Sequence, residues 1–145
     1  MSEPLISHID QSIVDCLIES ASAMLARSGD GDNHTVAASI YSDNGKVYSG
    51  MNLYHFTGGP CAEIVALAWL VSEGDGAKPL VIVAVADRER GVIAPCGRCR
   101  EVLADYCPEV QVVLKTENGI SAMPLDELLP YRYLRAPRPE ITRNV

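Results

Sequence analysis

The sequence predicts a three-layer α/β/α sandwich built on a mixed β-sheet. Apolar residues between Ile6 and Leu25 recur at steps of three and four, which is the period of an amphipathic helix. The run LVIVAVA, residues 80–86, is apolar throughout and has the length of a strand covered on both faces. The helix and strand patterns follow one another in the order α-β-β-α-β-α-β, and this order is typical of helices packed on a single sheet.

The first half of the chain contains a helix, a hairpin and a second helix. Glycines and turn-forming residues in SGDGDN end the first helix. The segments TVAASIYS and KVYSGMN flank Asn44-Gly45, a turn sequence that tolerates positive φ and therefore predicts a β-hairpin. A second helix is predicted from Cys61 to about Val71. Its residues are apolar almost all round, so we expect most of its faces to be buried.

The second half contains another helix, a strand and a short helical segment. A helix is expected to follow PCGRC and to stop at Cys107-Pro108. VQVVLK predicts a strand, ENG a turn and MPLDELLP a short helix, and the chain after Pro130 is expected to be a tail. With 145 residues, 48% of them hydrophobic, residues 1–145 are expected to form one domain.

Charge and hydropathy exclude several classes of partner. The formal net charge of −7 disfavours nucleic acid, because phosphate binding relies on clustered Lys and Arg. The longest apolar runs are too short to cross a bilayer, and the N-terminus lacks a basic region followed by an apolar one. We therefore expect a cytoplasmic protein that binds neither nucleic acid nor membrane. Five cysteines without a secretory signal favour metal or catalytic use over a disulfide framework.

Two predicted helix starts carry cysteines and a glutamate. Cys61 and Glu63 lie in the first turn of the second helix, where partial positive charge stabilises a thiolate and lowers its pKa. Cys96 and Cys99 begin the next helix, and an i, i+3 pair can hold one ion. If the two starts converge, three thiolates hold Zn²⁺ and leave its fourth position open to water. Glu63 would then take a proton from that water.

The pattern PCAE followed by PCGRC resembles the cytidine deaminase family of zinc aminohydrolases. NLYHFTGGPCAEIV, RGVIAPCGRCREVL and ELLPYRYL are similar to the blasticidin S deaminase branch of that family, from about His34 to Tyr133. The resemblance implies the cytidine deaminase fold and hydrolytic removal of the 4-amino group of a cytosine ring as ammonia. It also implies a homotetramer in which neighbouring chains complete the pockets. It assigns zinc binding to Cys61, Cys96 and Cys99, and proton transfer to Glu63.

The resemblance further implies a set of substrate contacts. Cytidine deaminases carry an Asn-x-Glu pair, and Asn52 matches it, but Tyr54 replaces the glutamate expected to bind the ribose hydroxyls. The blasticidin S branch shares this tyrosine. Its substrate-binding positions match Thr35, Arg90 and Tyr133, and Arg90 could offer a charge-assisted bond to a sugar carboxylate. The substrate therefore stays open between a nucleoside antibiotic, with resistance as the role, and cytidine or deoxycytidine in pyrimidine salvage.

Three thiolates outweigh the charge of zinc by one unit, so positive charge or N–H donors are expected nearby. Arg98 or Arg100, on either side of Cys99, could supply them.

Other interpretations of these residues exist. The cysteines could belong to a noncatalytic zinc module or a CxxC thiol-redox module. Cys16 and Cys107 are predicted to be packed thiols without a role, and His55 either lines the pocket or packs structurally.

Overall fold

A computed structural model describes residues 9–137, which form four helices and one six-stranded sheet. In chain order the elements are α1 (Gln11–Ser28), β1 (Val36–Ser42), β2 (Val47–Met51), α2 (Ala62–Glu73), β3 (Pro79–Ala86), β4 (Gly91–Ile93), α3 (Gly97–Tyr106), β5 (Gln111–Thr116), β6 (Gly119–Pro124) and α4 (Leu125–Leu128).

The sheet is mixed, as predicted. Its strands lie in the order β2-β1-β3-β5-β6, and β4 pairs with the C-terminal end of β3. The β3 and β5 strands are parallel, with Ile82 opposite Val112, whereas every other pair is antiparallel. Because β3 lies in the middle, both of its faces are covered.

Alternation along β3 divides the core into two layers. Val81, Val83 and Val85 pack with the buried side of α1 on one face of the sheet. Ile82 and Ala84 pack on the other face with α2, α3 and α4. Successive side chains of a strand point to opposite faces, so this one apolar run supports helices on both sides. The predicted three-layer sandwich is confirmed.

Local interactions explain where α1 begins and how the chain turns between β1 and β2. The Ser12 backbone N–H donates to the Asp10 side chain over 2.9 Å, which caps α1. The predicted turn between β1 and β2 contains Gly45 at φ +79°, a conformation that glycine adopts without strain. Ile6, where the predicted apolar stripe begins, lies outside the described residues.

Two strands and one burial pattern differ from the sequence prediction. The short β4 and the largely exposed β6 were not predicted, because neither has a run of apolar or alternating residues long enough to indicate a strand. The expectation that most faces of α2 are buried is wrong for the single chain. Trp69 and Val71 are 53% and 60% exposed, on the side of α2 that faces away from the sheet.

Within residues 9–137, none of the helices combines the length and the apolar character that a bilayer span requires.

Candidate metal centre and active site

The two helices that carry cysteines begin at the same place. Cys61 is the N-cap of α2 and Cys96 the N-cap of α3, and neither side chain caps its own helix. Their Sγ atoms lie 3.7 Å apart. Cys99 lies in the first turn of α3, and the three Sγ atoms are all within 4.8 Å of one another. The predicted convergence of the three sulfurs is confirmed.

Two glycines allow the chain before Cys61 to pack closely. A Cβ added at Gly50 in β2 would lie 2.7 Å from the backbone nitrogen of Ala66, so β2 contacts α2 directly. A Cβ added at Gly59 would lie 1.5 Å from the carbonyl oxygen of Leu53. The N–H of Leu53 donates to the Pro60 carbonyl over 3.1 Å and closes this loop. Larger residues at either glycine would displace the start of α2.

The cluster has the dimensions and the donor set of a zinc site. Zn–S bonds of about 2.3 Å at tetrahedral angles place sulfurs about 3.8 Å apart. The separation between Cys61 and Cys96 is 3.7 Å. In the described part of the chain, the cluster contains three side chains and no fourth ligand from His, Cys, Asp or Glu. Three protein ligands are typical of a catalytic zinc, whereas a structural zinc takes four.

Glu63 lies beside the sulfurs. It is in the first turn of α2, is only 5% exposed, and its Oε2 accepts a hydrogen bond from Cys99 Sγ over 3.6 Å. Burial raises the pKa of the Glu63 carboxyl above its ordinary value. A raised pKa suits a carboxyl group that both takes up and releases protons near neutral pH.

The thiols differ in their acidity. Burial raises the pKa of Cys61, and the neighbouring Cys96 adds to the rise. Burial, together with the charge of Glu63, raises the pKa of Cys99 well above that of an ordinary thiol. Burial would also raise the pKa of Cys96, but the Cys99 backbone N–H near its sulfur and the other two thiols outweigh burial and lower this pKa. The prediction that the helix start lowers the pKa of Cys61 is therefore wrong, because burial dominates there.

The two arginines beside Cys99 bind backbone carbonyls. Arg98 Nη1 donates to the Gly59 carbonyl over 3.4 Å, in the loop before Cys61. Arg100 donates from Nε to Pro95 and from Nη1 to Leu128, each over 2.9 Å. These contacts connect the start of α3 to the loop before Cys61 and to the end of α4.

Asn52 and Thr35 lie together where β1 begins and β2 has ended. Asn52 Oδ1 accepts from the backbone N–H groups of Thr35 and Val36, over 2.7 and 3.0 Å. Its Nδ2 donates to the Asn33 carbonyl and to Thr35 Oγ1, both over 3.4 Å. With its amide used in this way, Asn52 fixes the position of Thr35 and of the segment that leads to Tyr54.

The other three predicted substrate contacts lie on separate segments. Tyr54 follows β2 and is 67% exposed, and Tyr133 follows α4 and is 74% exposed. Arg90 lies in the turn between β3 and β4, where its Nη2 pairs with Asp87 Oδ1 over 2.9 Å. The sequence prediction missed Asp87, although its i, i+3 spacing from Arg90 was a visible signal.

The remaining cysteines and His55 have simple surroundings. Cys107 is buried as predicted, and burial raises its pKa to about 12. Cys16 is exposed, so its prediction as a packed thiol is wrong, because α1 turns this position away from the sheet. His55 is exposed, and it bonds to Thr57 and contacts the ring of Phe56.

Residues 11–115 match the family model for the cytidine and deoxycytidylate deaminase zinc-binding region. The chain belongs to this deaminase family. The matched region includes all three cysteines of the cluster, so zinc is the metal that the site holds. Members of the family are hydrolytic deaminases, and the predicted enzyme class is confirmed.

Several relatives of this deaminase are known. It is 30% identical over 128 residues to a blasticidin-S deaminase from Bacillus cereus, a match that covers 82% of this chain and 91% of the relative. It is 35% identical over 99 residues to a cytidine deaminase from Halalkalibacterium halodurans, covering 66% and 74% of the two chains. The crystal structure of cytidine deaminase from Mycobacterium tuberculosis superposes with a TM-score of 0.70 at 25% identity, covering 88% of this chain and 100% of that one. Membership in the family thus favours the enzyme over a noncatalytic zinc or thiol-redox module.

Proposed function

We propose that this deaminase hydrolyses the 4-amino group of a cytosine nucleoside or of a nucleoside antibiotic of the blasticidin S type. Water replaces the amine, and the products are the carbonyl compound and ammonia. The observation that carries the proposal is the buried carboxylate of Glu63, 3.6 Å from the sulfur of Cys99 in a cluster with three ligands. A proton carrier beside a metal site with an open position is the arrangement that hydrolysis requires.

Glu63 has the central part in the proposed reaction. A zinc ion held by Cys61, Cys96 and Cys99 supplies the Lewis acidity that makes water a nucleophile at neutral pH. Glu63 would accept one proton from the water and deliver it to N3 of the ring, and it would then take the proton of the hydroxyl group formed at C4 and deliver it to the departing amine, so that the C4 carbonyl forms as the C–N bond breaks. Because Glu63 is nearly inaccessible to solvent, the proton stays within the site between these transfers.

Five residues are proposed to contact or position the substrate. Tyr54 and Tyr133 offer exposed phenol groups, and Arg90 keeps donors beside its Nε and Nη2, which bind the backbone carbonyl and the carboxylate of Asp87. Thr35 offers its hydroxyl, and Asn52 acts mainly by holding Thr35 in place.

The choice between antibiotic resistance and pyrimidine salvage depends on the outer part of the substrate. The relatives include a blasticidin-S deaminase and several cytidine deaminases, so both substrates are candidates. Tyr54 at the position of the ribose-binding glutamate favours the antibiotic. Arg90, which can meet a carboxylate, favours it as well.

We also propose that the protein is a homotetramer of single-domain chains, residues 1–145, in the cytoplasm. The side of α2 that faces away from the sheet is mostly apolar and lies on the helix that begins at the metal site. Its exposed or half-exposed residues are Ile64, Ala68, Trp69, Val71 and Ser72. We call these five residues the α2 outer face. An apolar face of this kind is typical of a surface that another protein chain covers.

The experiment combines metal analysis with an activity assay. Purified protein is incubated separately with cytidine, deoxycytidine and blasticidin S, and ammonia release and ultraviolet absorbance are followed. We expect one zinc per chain and release of ammonia from at least one compound. Zinc without ammonia from any of the three would contradict the proposed function. The ratio of kcat/KM for blasticidin S and cytidine decides between the two roles.

A further inference from the structure

Arg100 binds both peptide groups that flank Cys96. Its side-chain Nε donates to the Pro95 carbonyl over 2.9 Å, and its backbone N–H donates to the Cys96 carbonyl over 3.0 Å. The first carbonyl belongs to the peptide group before Cys96 and the second to the peptide group after it. Since peptide groups are planar, their orientations fix φ and ψ of the residue between them. The Arg100 side chain therefore holds the peptide group before Cys96, and the ordinary i→i−4 bond of α3 holds the one after it. Together they set the direction in which the Cys96 side chain leaves the backbone.

Cys96 needs such a restraint more than the other two cysteines do. Cys99 is fully buried in the core and Cys61 is partly covered, whereas Cys96 is exposed. As the N-cap of α3 it makes no side-chain capping bond that would hold its rotamer. Pro95, just before it, is buried, and its carbonyl is the acceptor that Arg100 satisfies.

The guanidinium group of Arg100 also reaches a distant segment. Its Nη1 donates to the Leu128 carbonyl at the end of α4 over 2.9 Å. One planar group thus joins the strand-to-helix connection at Pro95 to the end of α4. Two donors at fixed directions in one plane are available to arginine, whereas lysine presents a single nitrogen.

We propose that Arg100 is a positioning residue for the zinc ligand Cys96, and that it acts through the geometry of its side-chain bonds to the Pro95 and Leu128 carbonyls rather than by offsetting thiolate charge. The sequence prediction treated Arg98 and Arg100 as candidates for offsetting thiolate charge. The described side-chain hydrogen bonds of Arg100 end on carbonyl oxygens, so its guanidinium group holds the backbone and not a thiolate. The inference goes beyond the choice of substrate and depends only on the zinc site.

Arg100→Lys separates geometry from charge, because lysine keeps the positive charge but lacks the planar group with two donors in fixed directions. Zinc affinity is measured by competition with a chromophoric chelator for the wild type and the variant. We expect R100K to bind zinc about 10- to 100-fold more weakly, the usual effect of removing a partner that orients a metal ligand. Cobalt substituted for zinc should show altered absorption bands in R100K. Thermal unfolding is followed in parallel, since a purely structural role would lower stability and leave zinc affinity unchanged.

Arg132→Lys is the matched control. Arg132 also joins the segment after α4 to α3, through Asp105 over 3.3 Å, but its partner lies at the far end of the helix. We expect R132K to bind zinc like the wild type. Zinc affinity of R100K equal to that of the wild type would overturn the inference. Absence of zinc from the wild type would instead contradict the metal site itself, so the two failures are distinguishable.

Should R100K fail to fold, the wild type supplies the test. Exchange of the arginine Nε–H protons with solvent is measured by NMR in the zinc-loaded protein. We expect the Arg100 proton to exchange slowly, because it is hydrogen-bonded to Pro95. Exchange as fast as that of an exposed residue such as Arg27 would overturn the inference.

Discussion

The sulfur atoms of Cys61 and Cys96 lie 3.7 Å apart, although 35 positions separate the two residues in sequence. Each residue occupies the N-cap position of a different helix, and both helices pack on the same face of the sheet. The metal site therefore exists because the loops that precede α2 and α3 end next to each other. Changes to its ligands, its carboxylate and its surroundings have separable effects.

Removing the buried ligand should abolish zinc binding. In Cys99→Ala the cluster keeps two thiols, which are too few to hold zinc tightly against a chelator. Zinc content per chain after dialysis measures the effect. Cys107→Ala is the control, since Cys107 is buried at the other end of α3 and is no part of the cluster. It should keep full zinc and lose about 1 kcal/mol of stability. Full zinc content in Cys99→Ala would show that Cys99 is not a ligand.

Replacing the carboxylate should stop turnover and leave the metal in place. Glu63→Gln keeps the size of the side chain but cannot carry the proton, so kcat should fall by about 10²- to 10⁴-fold. Zinc content should equal that of the wild type. Glu73→Gln makes the same chemical change at the exposed end of α2 and should leave kcat unaltered. A Glu63→Gln enzyme with normal kcat would remove Glu63 from the mechanism.

The free cysteines should differ in reactivity with pH. Burial raises the pKa of Cys107 to about 12, so its thiolate is scarce at neutral pH and becomes abundant only as the pH approaches that value. Cys16 is exposed. Alkylation of zinc-loaded protein by iodoacetamide, mapped by mass spectrometry, should label Cys16 first and Cys107 slowly. The rate at Cys107 should rise with pH while the protein stays folded. Equal rates at the two positions near pH 7 would contradict the burial of Cys107.

A charge on the α2 outer face should dissociate the oligomer. Trp69 is 53% exposed in the single chain, and Trp69→Glu would place a carboxylate in a contact between copies. Light scattering coupled to size exclusion should report the mass of four chains for the wild type and a smaller mass for the variant. Ile120→Glu, on the exposed strand β6, is the control and should leave the assembly intact. Identical masses for the wild type and Trp69→Glu would place the contact elsewhere.

Loss of the arginine in the β3–β4 turn should affect substrates unequally. Arg90→Gln removes a cation that could meet a carboxylate, so kcat/KM for blasticidin S should fall by about ten- to a hundredfold. Cytidine has no carboxylate and should be affected much less. Steady-state kinetics with both compounds provide the comparison. An equal loss for both would assign Arg90 to the stability of its turn, where it pairs with Asp87.

Local patterns in the sequence were sufficient for the elements that have long apolar runs. The stripe of α1, the run of β3 and the hairpin between β1 and β2 depend on neighbouring residues alone, and the structure agrees with them. The short β4 and the exposed β6 depend on pairing with distant strands, so no local pattern indicated them. The apolar character of α2 was visible, but a sequence does not distinguish burial within the chain from an apolar face left for another chain.

By itself, the sequence determined the helix starts, the three cysteines and the glutamate between them, because spacing along a helix follows from covalent geometry. Only the tertiary structure decided that Cys61 and Cys96 meet, that burial raises the pKa of Cys61, and that Arg100 binds the carbonyls of Pro95 and Leu128. The physical reason is that the burial of a side chain, and the carbonyl group that it binds, are set by contacts between segments that are distant in sequence. Every residue carries the same carbonyl group, so the partner of an arginine is known only once the fold brings the two together.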